Sequence, residues 1–280
     1  MTTVGLLHPG DMGGVVGWCA KRAGQRVLWA SAGRSSETGE RAAAAGLEDT
    51  GRVTALVTAS DVVLSICPPH AALDLAREVA ALGFTGLFVD GNAVAPATAR
   101  EIGAVVEVGG ATFVDGGIIG PPPRAAGSTR LYLSGREAKR AAALFDGGPL
   151  EAIAINDVPG AASALKMAYA AVTKGTSALL MAVRALAASE GVDEALLAEW
   201  RRSQPELPTR SEAAARDNAR KAWRFVGEMD EIAATFEAAG LPAGFHQAAG
   251  LIYRRLAGYK DAATPPSMAD LVEPLTRRRP

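Results

Sequence analysis

A lysine within a long apolar segment is the side chain of this sequence best suited to acid–base chemistry. Lys166 lies in the Ala-, Leu- and Met-rich stretch 158–191, and Tyr169, Thr173 and Lys174 follow it at i+3, i+7 and i+8. In an α-helix these offsets put the four side chains on one face. Apolar surroundings disfavour the charged form of a lysine, so its pKa can fall toward neutrality. We predict that Lys166 and Tyr169 are catalytic and that Thr173 and Lys174 contact the substrate.

The N-terminal region carries the pattern of a nucleotide-binding turn. An apolar run at 4–7 precedes His8-Pro9-Gly10-Asp11-Met12-Gly13, and a helical pattern follows. Glycine lets the backbone approach a pyrophosphate, and the N–H groups of a helix N-terminus point at it. Gly10 and Gly13 fill the second and third positions of G-x-G-x-x-G, whereas His8 takes the first. We predict that Gly10, Asp11, Met12 and Gly13 bind the coenzyme; the alternative is an ordinary glycine turn after a strand.

The end of the second predicted strand favours NADP over NAD. Enzymes that use NAD usually carry Asp or Glu there for the ribose 2′-hydroxyl. Here the segment 31–36 has no acid but contains Arg34 and Ser35. A guanidinium can hold a 2′-phosphate through charge-assisted hydrogen bonds. We predict that Arg34 and Ser35 bind NADP(H); alternatively, Arg34 is a solvated loop residue and Ser35 caps the next helix.

Further candidates follow the later strands. Cys67-Pro68-Pro69 and Asn92 come directly after apolar runs, and in open α/β sheets such strand ends lie beside the bound coenzyme. We predict that these four residues contact the coenzyme, although Asn92 fits a turn residue with local hydrogen bonds equally well. The glycine- and proline-rich segment 116–123 reads as a long ligand-binding loop, in which Ile119 and Gly120 are expected to contact the substrate.

The element pattern predicts an α/β Rossmann-type N-terminal domain followed by an all-α C-terminal domain. Strand and helix signals alternate up to residue 157, and only helix signals follow. We therefore predict an NADP-binding domain at 1–157 and a helical substrate and dimerisation domain at 158–280. The second domain begins with a helix at 158–191, with Pro159 in its first turn, and a further long helix is expected at 211–239.

Composition excludes several classes of function. The chain has 280 residues, of which 49% are hydrophobic, and a formal net charge of −1. No basic excess indicates nucleic-acid binding, and no apolar run indicates a membrane helix or signal peptide, so we expect a cytoplasmic protein. The two cysteines and three histidines show no ligand spacing. We therefore expect no metal site and no disulfide.

These motifs resemble the superfamily of β-hydroxyacid and 6-phosphogluconate dehydrogenases. Gly5, Gly10, Met12 and Gly13 match G-x-x-G-x-G-x-M-G, and Asp90-Gly91-Asn92 is similar to the D-G-G-N region of the phosphogluconate enzymes. The family's catalytic element, a glycine followed by a lysine on a long interdomain helix, matches Gly160 and Lys166. The resemblance covers about residues 1–190, and the short helical tail is similar to that of a bacterial subgroup whose substrates are mostly unassigned.

Three departures from the family pattern bear on the substrate. Ala170 stands where the family has an asparagine, Thr173 stands where the phosphogluconate enzymes have an acid, and Ile119-Gly120-Pro121 replaces the S-G-G loop that binds the substrate carboxylate. These departures argue against phosphogluconate as the substrate and against a hydroxyacid that is bound in the usual way of the family. Tyr169 is then expected to orient the substrate in place of the missing asparagine.

Three functions remain open at this point. The first is hydride transfer between NADP(H) and a small alcohol or carbonyl, with Lys166 as general acid/base. The second is an imine reductase of the same fold, and the third is a sensor that holds NADPH without turnover. The structural alternative for Lys166 is a side chain that reaches solvent or pairs with an acid of a neighbouring helix.

We also predict a homodimer with shared active sites. The helical domain has only about 120 residues, so a partner's helices are expected to complete the substrate pocket. Trp223 and His246 are the candidates to be supplied in this way, together with Glu228 and Met229.

Overall fold

A computed structural model describes residues 1–277, and the last three residues, predicted to be a solvated tail, lie outside this range. The chain divides into two compact units, 1–167 and 168–280, and within the second unit residues 168–277 are described. The division falls inside one long helix. The first unit is an α/β sheet unit and the second is a helical unit. The predicted fold class, a Rossmann-type domain followed by an all-α region, is therefore confirmed.

The sheet unit contains eight strands in the order β3-β2-β1-β4-β5-β6-β7-β8. All neighbours pair in parallel except β6 and β7. The strands are β1 (Thr3–Leu7), β2 (Arg26–Trp29), β3 (Glu48–Asp49), β4 (Val62–Ser65), β5 (Leu87–Asp90), β6 (Thr112–Ile119), β7 (Arg130–Ser134) and β8 (Glu151–Asn156). The helices between them are α1 (Asp11–Arg22), α2 (Ser36–Ala44), α3 (Val53–Ala59), α4 (Pro69–Ala81), α5 (Pro96–Val108) and α6 (Ala138–Ala142), which a 3₁₀ turn (Ala143–Phe145) extends.

Strand residues alternate between two hydrophobic cores, one on each face of the sheet. Val62 and Leu64 of β4 belong to the core that α1 and α6 cover, whereas Val63 belongs to the core that α3, α4 and α5 cover. Successive side chains of a strand point to opposite faces, so a continuous apolar run fits a strand buried on both sides. Both faces of the sheet are thus covered, and the carboxyl ends of the parallel strands form the edge at which the predicted coenzyme residues lie.

The helix that crosses the division, α7 (Ala161–Ser189), begins three residues after the predicted start at 158 because Gly160 has φ +92°. That left-handed conformation is incompatible with a helical turn, so Pro159 is not part of the helix and the expectation that it occupies the first turn is wrong. The carbonyl of Gly160 accepts the first helical hydrogen bond, from the N–H of Ala164 at 2.9 Å.

The helical unit contains five further α-helices and two 3₁₀ turns within the described residues. These are α8 (Asp193–Ser203), α9 (Leu207–Asn218), a 3₁₀ turn (Ala219–Lys221), α10 (Ala222–Ala238), α11 (Gly244–Leu256), a 3₁₀ turn (Ala257–Asp261) and α12 (Met268–Thr276). The predicted single helix at 211–239 is thus two helices joined by a tight turn, and α12 was not predicted. Met229 and Ile232 of α10 are fully buried.

A buried charge cluster joins three elements of this unit. The Arg184 guanidinium of α7 donates two hydrogen bonds to the Asp193 carboxylate, at 2.6 and 2.9 Å, one to Ser211 at 2.8 Å and one to Glu212 at 3.1 Å. Val192 is the N-cap residue of α8, and Asp193 is its first residue. The Asp193 carboxylate neutralises a guanidinium that is 6% exposed, which links α7 to α8 and α9.

Within residues 1–277 there is no helix long and apolar enough to cross a membrane. The same residues hold no group of three or more His, Cys, Asp or Glu side chains placed to bind a metal ion.

Candidate active site

The turn between β1 and α1 uses its two glycines differently. A Cβ atom on Gly13 would lie 2.4 Å from the carbonyl oxygen of His8, so the fold itself requires glycine there. A Cβ on Gly10, which precedes α1, would meet no protein atom within 4 Å. Met12 packs against the core of the sheet unit, and the carboxylate of Asp11 is exposed in the first turn of α1. A side chain at position 10 would therefore fit without a clash, so packing within this chain does not require glycine there.

His8 stands in the position of the motif's first glycine and adopts a glycine-like conformation. Among residues 1–277, His8 is the one residue other than glycine that has a positive φ, +68°. Its Nδ1 atom is buried and has no hydrogen-bond partner among residues 1–277. Burial, and then the positive charge of Arg34, lower the pKa of the imidazole to about 4. The side chain is therefore neutral at physiological pH, and the strand end carries both backbone strain and an unpaired polar atom.

Arg34 and Ser35 follow β2 at the same edge of the sheet. The Ser35 hydroxyl oxygen accepts a hydrogen bond from the N–H of Thr38 at 3.4 Å, so Ser35 caps α2, as the alternative interpretation expected. No acid of the described chain forms an ion pair with Arg34. Its charge lowers the pKa of His8 and also opposes the rise in the pKa of Cys67. The guanidinium therefore acts on the ends of β1 and β4, beside the glycine turn.

The loop after β4 is held by the side chain of Asn92. Its Oδ1 accepts a hydrogen bond from the N–H of Cys67 at 2.5 Å, and its Nδ2 donates to Ser65 Oγ at 3.0 Å and to Asp90 Oδ1. Both ends of this carboxamide, which is 2% exposed, thus have partners within the sheet edge. Asn92 has the local hydrogen bonds of a turn residue, and it fixes the segment that contains Cys67.

Cys67, Pro68 and Pro69 form the connection from β4 to α4. Pro68 is the N-cap residue of α4 and Pro69 is its first residue, where the absent N–H of a proline costs no hydrogen bond. Burial, and then the negative charge of Asp90, raise the pKa of the Cys67 thiol to about 12. This thiol is therefore protonated and unreactive, which suits a packing contact and not a nucleophile.

Two buried aspartates pair across β5 and β6. Asp90 and Asp115 are register partners, and both are fully buried. Burial, and then the charge of Asp115, raise the pKa of Asp90 to about 7. Asp115 accepts hydrogen bonds from Ser134 Oγ at 2.9 Å, from Ser163 N–H at 2.9 Å and from Ser163 Oγ at 2.6 Å. Through these hydrogen bonds Asp115 anchors the first turn of α7.

The segment predicted as a ligand-binding loop is largely strand, because β6 continues to Ile119. Gly117 is glycine because α7 packs directly on it: a Cβ there would lie 2.6 Å from Ala162 O and 3.0 Å from Lys166 Cβ. Ile119 is buried in the strand, and Gly120, with φ +125°, begins the connection to β7. The reading of residues 116–119 as a loop was wrong because glycine here serves close packing between helix and strand.

Gly117 lies two residues beyond Asp115, the partner of the last residue of β5. This part of β6 therefore extends past the carboxyl ends of the neighbouring parallel strands. Because Lys166 packs on it, the lysine lies at the same edge of the sheet unit as the glycine turn, Arg34 and Cys67. The sequence-predicted residues of this unit are thus brought to one edge.

The remaining candidates belong to the helical unit, and their environments differ. Tyr169 is 49% exposed, and the Thr173 hydroxyl lies 3.3 Å from the carbonyl oxygen of Tyr169 within the same helix. Lys174 Nζ forms an ion pair with Glu228 Oε2 at 2.8 Å and lies 5.0 Å from the centre of the Phe225 ring. Lys174 therefore links α7 to α10.

Trp223 and His246 do not lie together. Trp223 is 42% exposed, with Lys260 Nζ 4.7 Å from the centre of its ring. His246 is 5% exposed, its ring lies 4.2 Å from that of Phe236, and its Nδ1 has no partner in the described chain. Burial lowers the pKa of His246, so this histidine is a neutral core residue of the helical unit.

Sequence reasoning missed several polar residues of the sheet unit that organise this edge. Asp115 and Ser163 were hidden because their pairing is 48 residues apart in sequence. Arg41 of α2 donates to the carbonyl of Pro9 at 3.3 Å, which places it beside the glycine turn. Its position in α2, six residues after the N-cap residue Ser35, is the signal that the sequence offers for it.

Solved structures share this architecture. The 3-hydroxyisobutyrate dehydrogenase of Mycobacterium tuberculosis superposes with a TM-score of 0.73 over 99% of this chain and 100% of that one, at 20% identity. A conserved protein of unknown function, described as structurally similar to 3-hydroxyacid dehydrogenases, is 27% identical, with a TM-score of 0.69 over 92% of this chain and 98% of that one. This chain has the 3-hydroxyacid dehydrogenase fold.

Further comparisons match all or part of this chain. An imine reductase variant of Myxococcus stipitatus, in complex with NAD⁺, has a TM-score of 0.55 over 98% of this chain and 99% of that one, at 20% identity. A family model described as a domain of unknown function, DUF1932, matches residues 187–256. An uncharacterized 28.5 kDa protein of Methanothermus fervidus is 33% identical over 166 residues, which span 59% of this chain and 63%, less than two thirds, of that protein.

Proposed function

We propose that this protein is an NADP-dependent oxidoreductase that interconverts a small alcohol and its carbonyl compound, with Lys166 as general acid and base. The observation that carries this proposal is the packing of Lys166 on Gly117, beyond the carboxyl ends of the parallel strands. In open α/β sheets this edge is where a dinucleotide binds. A lysine there is within reach of the reacting end of such a coenzyme.

The residues at this edge fit a dinucleotide. A Cβ on Gly10 would meet no protein atom within 4 Å, so glycine at this position serves the approach of a ligand to the N-terminus of α1. Asp11, Met12 and Gly13 complete the turn. Arg34 supplies an unneutralised guanidinium for a 2′-phosphate, with Ser35 beside it, and the Cys67-Pro68-Pro69 segment lines the other side.

The coenzyme supplies the hydride equivalent when bound, and the chain supplies the proton. Lys166 donates a proton to the substrate oxygen during reduction and accepts it during oxidation, because a bare alkoxide would be a high-energy species. Tyr169 orients the same oxygen, and Thr173 and Lys174 lie further along the helix, with Lys174 held in its ion pair. Ile119 brings an apolar side chain to a position where a serine would bind a carboxylate, so the substrate is not expected to be held through a carboxylate there.

Two binding experiments test the coenzyme assignment. Titration with NADPH and with NADH should give tighter binding of NADPH, and Arg34→Gln should remove most of this preference. Gly10→Ala should weaken NADPH binding at least tenfold while thermal stability stays close to that of the wild type. Gly13→Ala is the contrasting variant, since its added methyl group collides with His8 and should destabilise the fold itself. Equal binding of both nucleotides by the wild type would overturn the choice of NADP.

The catalytic assignment is tested by Lys166→Met on a panel of carbonyl and imine substrates. We expect the variant to bind NADPH with unchanged affinity and to lose turnover at least a hundredfold. That result would also exclude a sensor that holds NADPH without turnover. Unchanged turnover in the variant would remove Lys166 from the mechanism.

Imine reduction is the second candidate. The buried, apolar Ile119 in the position of the carboxylate-binding serine favours it, since a cyclic imine needs no such hydroxyl. Reduction of cyclic imines by the wild type without activity on any carbonyl compound would replace the first proposal with this one.

We further propose that the protein is a homodimer assembled through α7. Within the helical unit this helix displays four apolar side chains that are between 48% and 65% exposed: Tyr169, Val172, Leu179 and Leu186. The last three recur every seven residues, which is the heptad spacing of a coiled-coil seam. A second copy offers the same stripe, so the surface is self-complementary about a two-fold axis. A partner was expected to contribute Trp223, Glu228, Met229 and His246. Of these four residues, Trp223 is the exposed one.

A further inference from the structure

A cavity of about 270 Å³ lies between α1 and α2 in the sheet unit. Gly10, Gly14, Ala44 and Ala45 are among its lining residues, and because they have little or no side chain they keep the two helices from filling it. One wall is the indole of Trp18, one turn along α1 from Gly14. The volume is close to the lower limit of typical small-molecule sites and exceeds that of a cavity that holds benzene, so it accommodates a single ring with one attached group.

Two guanidinium groups line this cavity. Arg41 extends from α2, and Arg124 extends from the connection between β6 and β7. Arg41 donates from Nε to Pro9 O at 3.3 Å and from Nη2 to Thr38 Oγ1 at 3.1 Å, which fixes its plane. A guanidinium has five N–H donors, so three of those of Arg41 remain for a ligand.

The charge around the cavity is unbalanced toward positive. Within residues 1–277, neither Arg41 nor Arg124 takes part in an ion pair, and Asp11 is the acid among the lining residues. Two arginines that converge on one space without acid partners are typical of a site for a planar or tetrahedral anion. Trp18, over whose ring the Arg22 guanidinium lies at 5.9 Å, adds an aromatic side chain to the lining, which favours a ring next to that anion.

We propose that this cavity binds a small aromatic or heterocyclic anion, with its phosphate or carboxylate between Arg41 and Arg124 and its ring against Trp18. The proposal goes beyond the oxidoreductase assignment, since the lysine plays no part in it. The shared chemistry can come from a free aromatic phosphate or carboxylate or from the phosphorylated ribose of the coenzyme itself. In the second case Arg41 and Arg124, and not Arg34, hold the 2′-phosphate. Because Gly10 and Asp11 border both the cavity and the glycine turn, either ligand lies beside the coenzyme's diphosphate.

Calorimetric titration of the full-length protein with phenyl phosphate tests this site. We expect binding in the micromolar to low millimolar range, tighter than that of inorganic phosphate because of Trp18. Arg41→Gln and Arg124→Gln should each weaken it about tenfold, and Arg41→Lys should fall between Gln and wild type because it keeps the charge but loses the planar fork. Arg136→Gln, an exposed arginine of the same unit outside the cavity, is the matched control and should bind as the wild type does.

A second titration in the presence of saturating NADP⁺ distinguishes the two sources. Unchanged binding of phenyl phosphate identifies a separate ligand, whereas competition, with NADP⁺ binding also weakened in Arg41→Gln, identifies the phosphorylated ribose of the coenzyme. The proposal is overturned if phenyl phosphate does not bind at millimolar concentration, or if the three cavity variants stay within twofold of wild type and of Arg136→Gln. Circular dichroism of each variant verifies that it is folded.

Discussion

Asp115 should be the most sensitive single residue for the position of α7 in the sheet unit. Its carboxylate accepts hydrogen bonds from Ser134 Oγ, Ser163 N–H and Ser163 Oγ, all buried and all within 3 Å. Asp115→Ala leaves these three donors without an acceptor. An unpaired buried donor costs about 1–3 kcal/mol, and relaxation and water entry make the total smaller than the sum. We therefore expect the free energy of unfolding to fall by about 3–5 kcal/mol.

Asp115→Asn should cost only about 1–2 kcal/mol, because the amide oxygen still accepts and the Ser163 hydroxyl can turn to accept from the amide nitrogen. Urea unfolding measured by circular dichroism gives both values, and hydrogen exchange at the Ser163 amide locates the effect. That amide should exchange at least thirtyfold faster in the alanine variant. Asp74→Ala, which removes an exposed ion pair with Arg77, is the matched control and should change stability by less than about 0.5 kcal/mol. A loss below 1 kcal/mol for Asp115→Ala, or no change in exchange at Ser163, would refute the assignment of an anchor.

Three other variants test separate features. The pKa of Asp90 is raised to about 7, so the folded protein keeps a proton that the unfolded chain releases near pH 4. The contribution of Asp90 to stability is therefore complete below pH 4 and is lost as the pH rises to 7. The difference in unfolding free energy between wild type and Asp90→Asn should change by up to about 1.4 kcal/mol per pH unit in this window and be constant above it. Gly117→Ala should lower stability by about 1–3 kcal/mol and reduce turnover more than NADPH affinity, because the new methyl group displaces the turn that carries Lys166; kinetics and coenzyme titration show whether the two are separated. Val172→Glu should convert a dimer to a monomer in light scattering. Leu241 is also apolar and exposed but lies outside α7, so Leu241→Glu should leave the dimer intact. A monomeric wild type would defeat the dimer proposal.

The sheet unit could be predicted almost element by element because its signals are local. The apolar run that ends before Cys67 is buried on both faces, as its pattern indicated, and the turn at Gly10 and Gly13 precedes a helix as expected. Boundaries failed where a glycine had a tertiary reason. The glycine at 117 predicts a loop, but this residue lies in β6 and pairs with β7. It is glycine because α7, 45 residues away in sequence, packs on it.

The helical unit was predicted less well because its break points carry no sequence signal. The chain between 211 and 239 contains neither proline nor a clustered glycine, yet a 3₁₀ turn at Ala219–Lys221 divides it, with Ala219 and Ala222 fully buried. Packing sets this break. The partners of Lys174 and of Asp115 were likewise out of reach, because each joins segments separated by more than 45 residues and nothing in either segment specifies the other.

The Arg184 cluster has a consequence for how this protein can be cut into modules. The recognised domain of unknown function starts at residue 187, three residues after the guanidinium that Asp193, Ser211 and Glu212 surround. A fragment that begins at 187 would contain the carboxylates of Asp193 and Glu212 but would lack Arg184, the cation that they bind. The matched segment therefore begins after the cation of this cluster, and we expect that a stable helical fragment must include the preceding turns of α7.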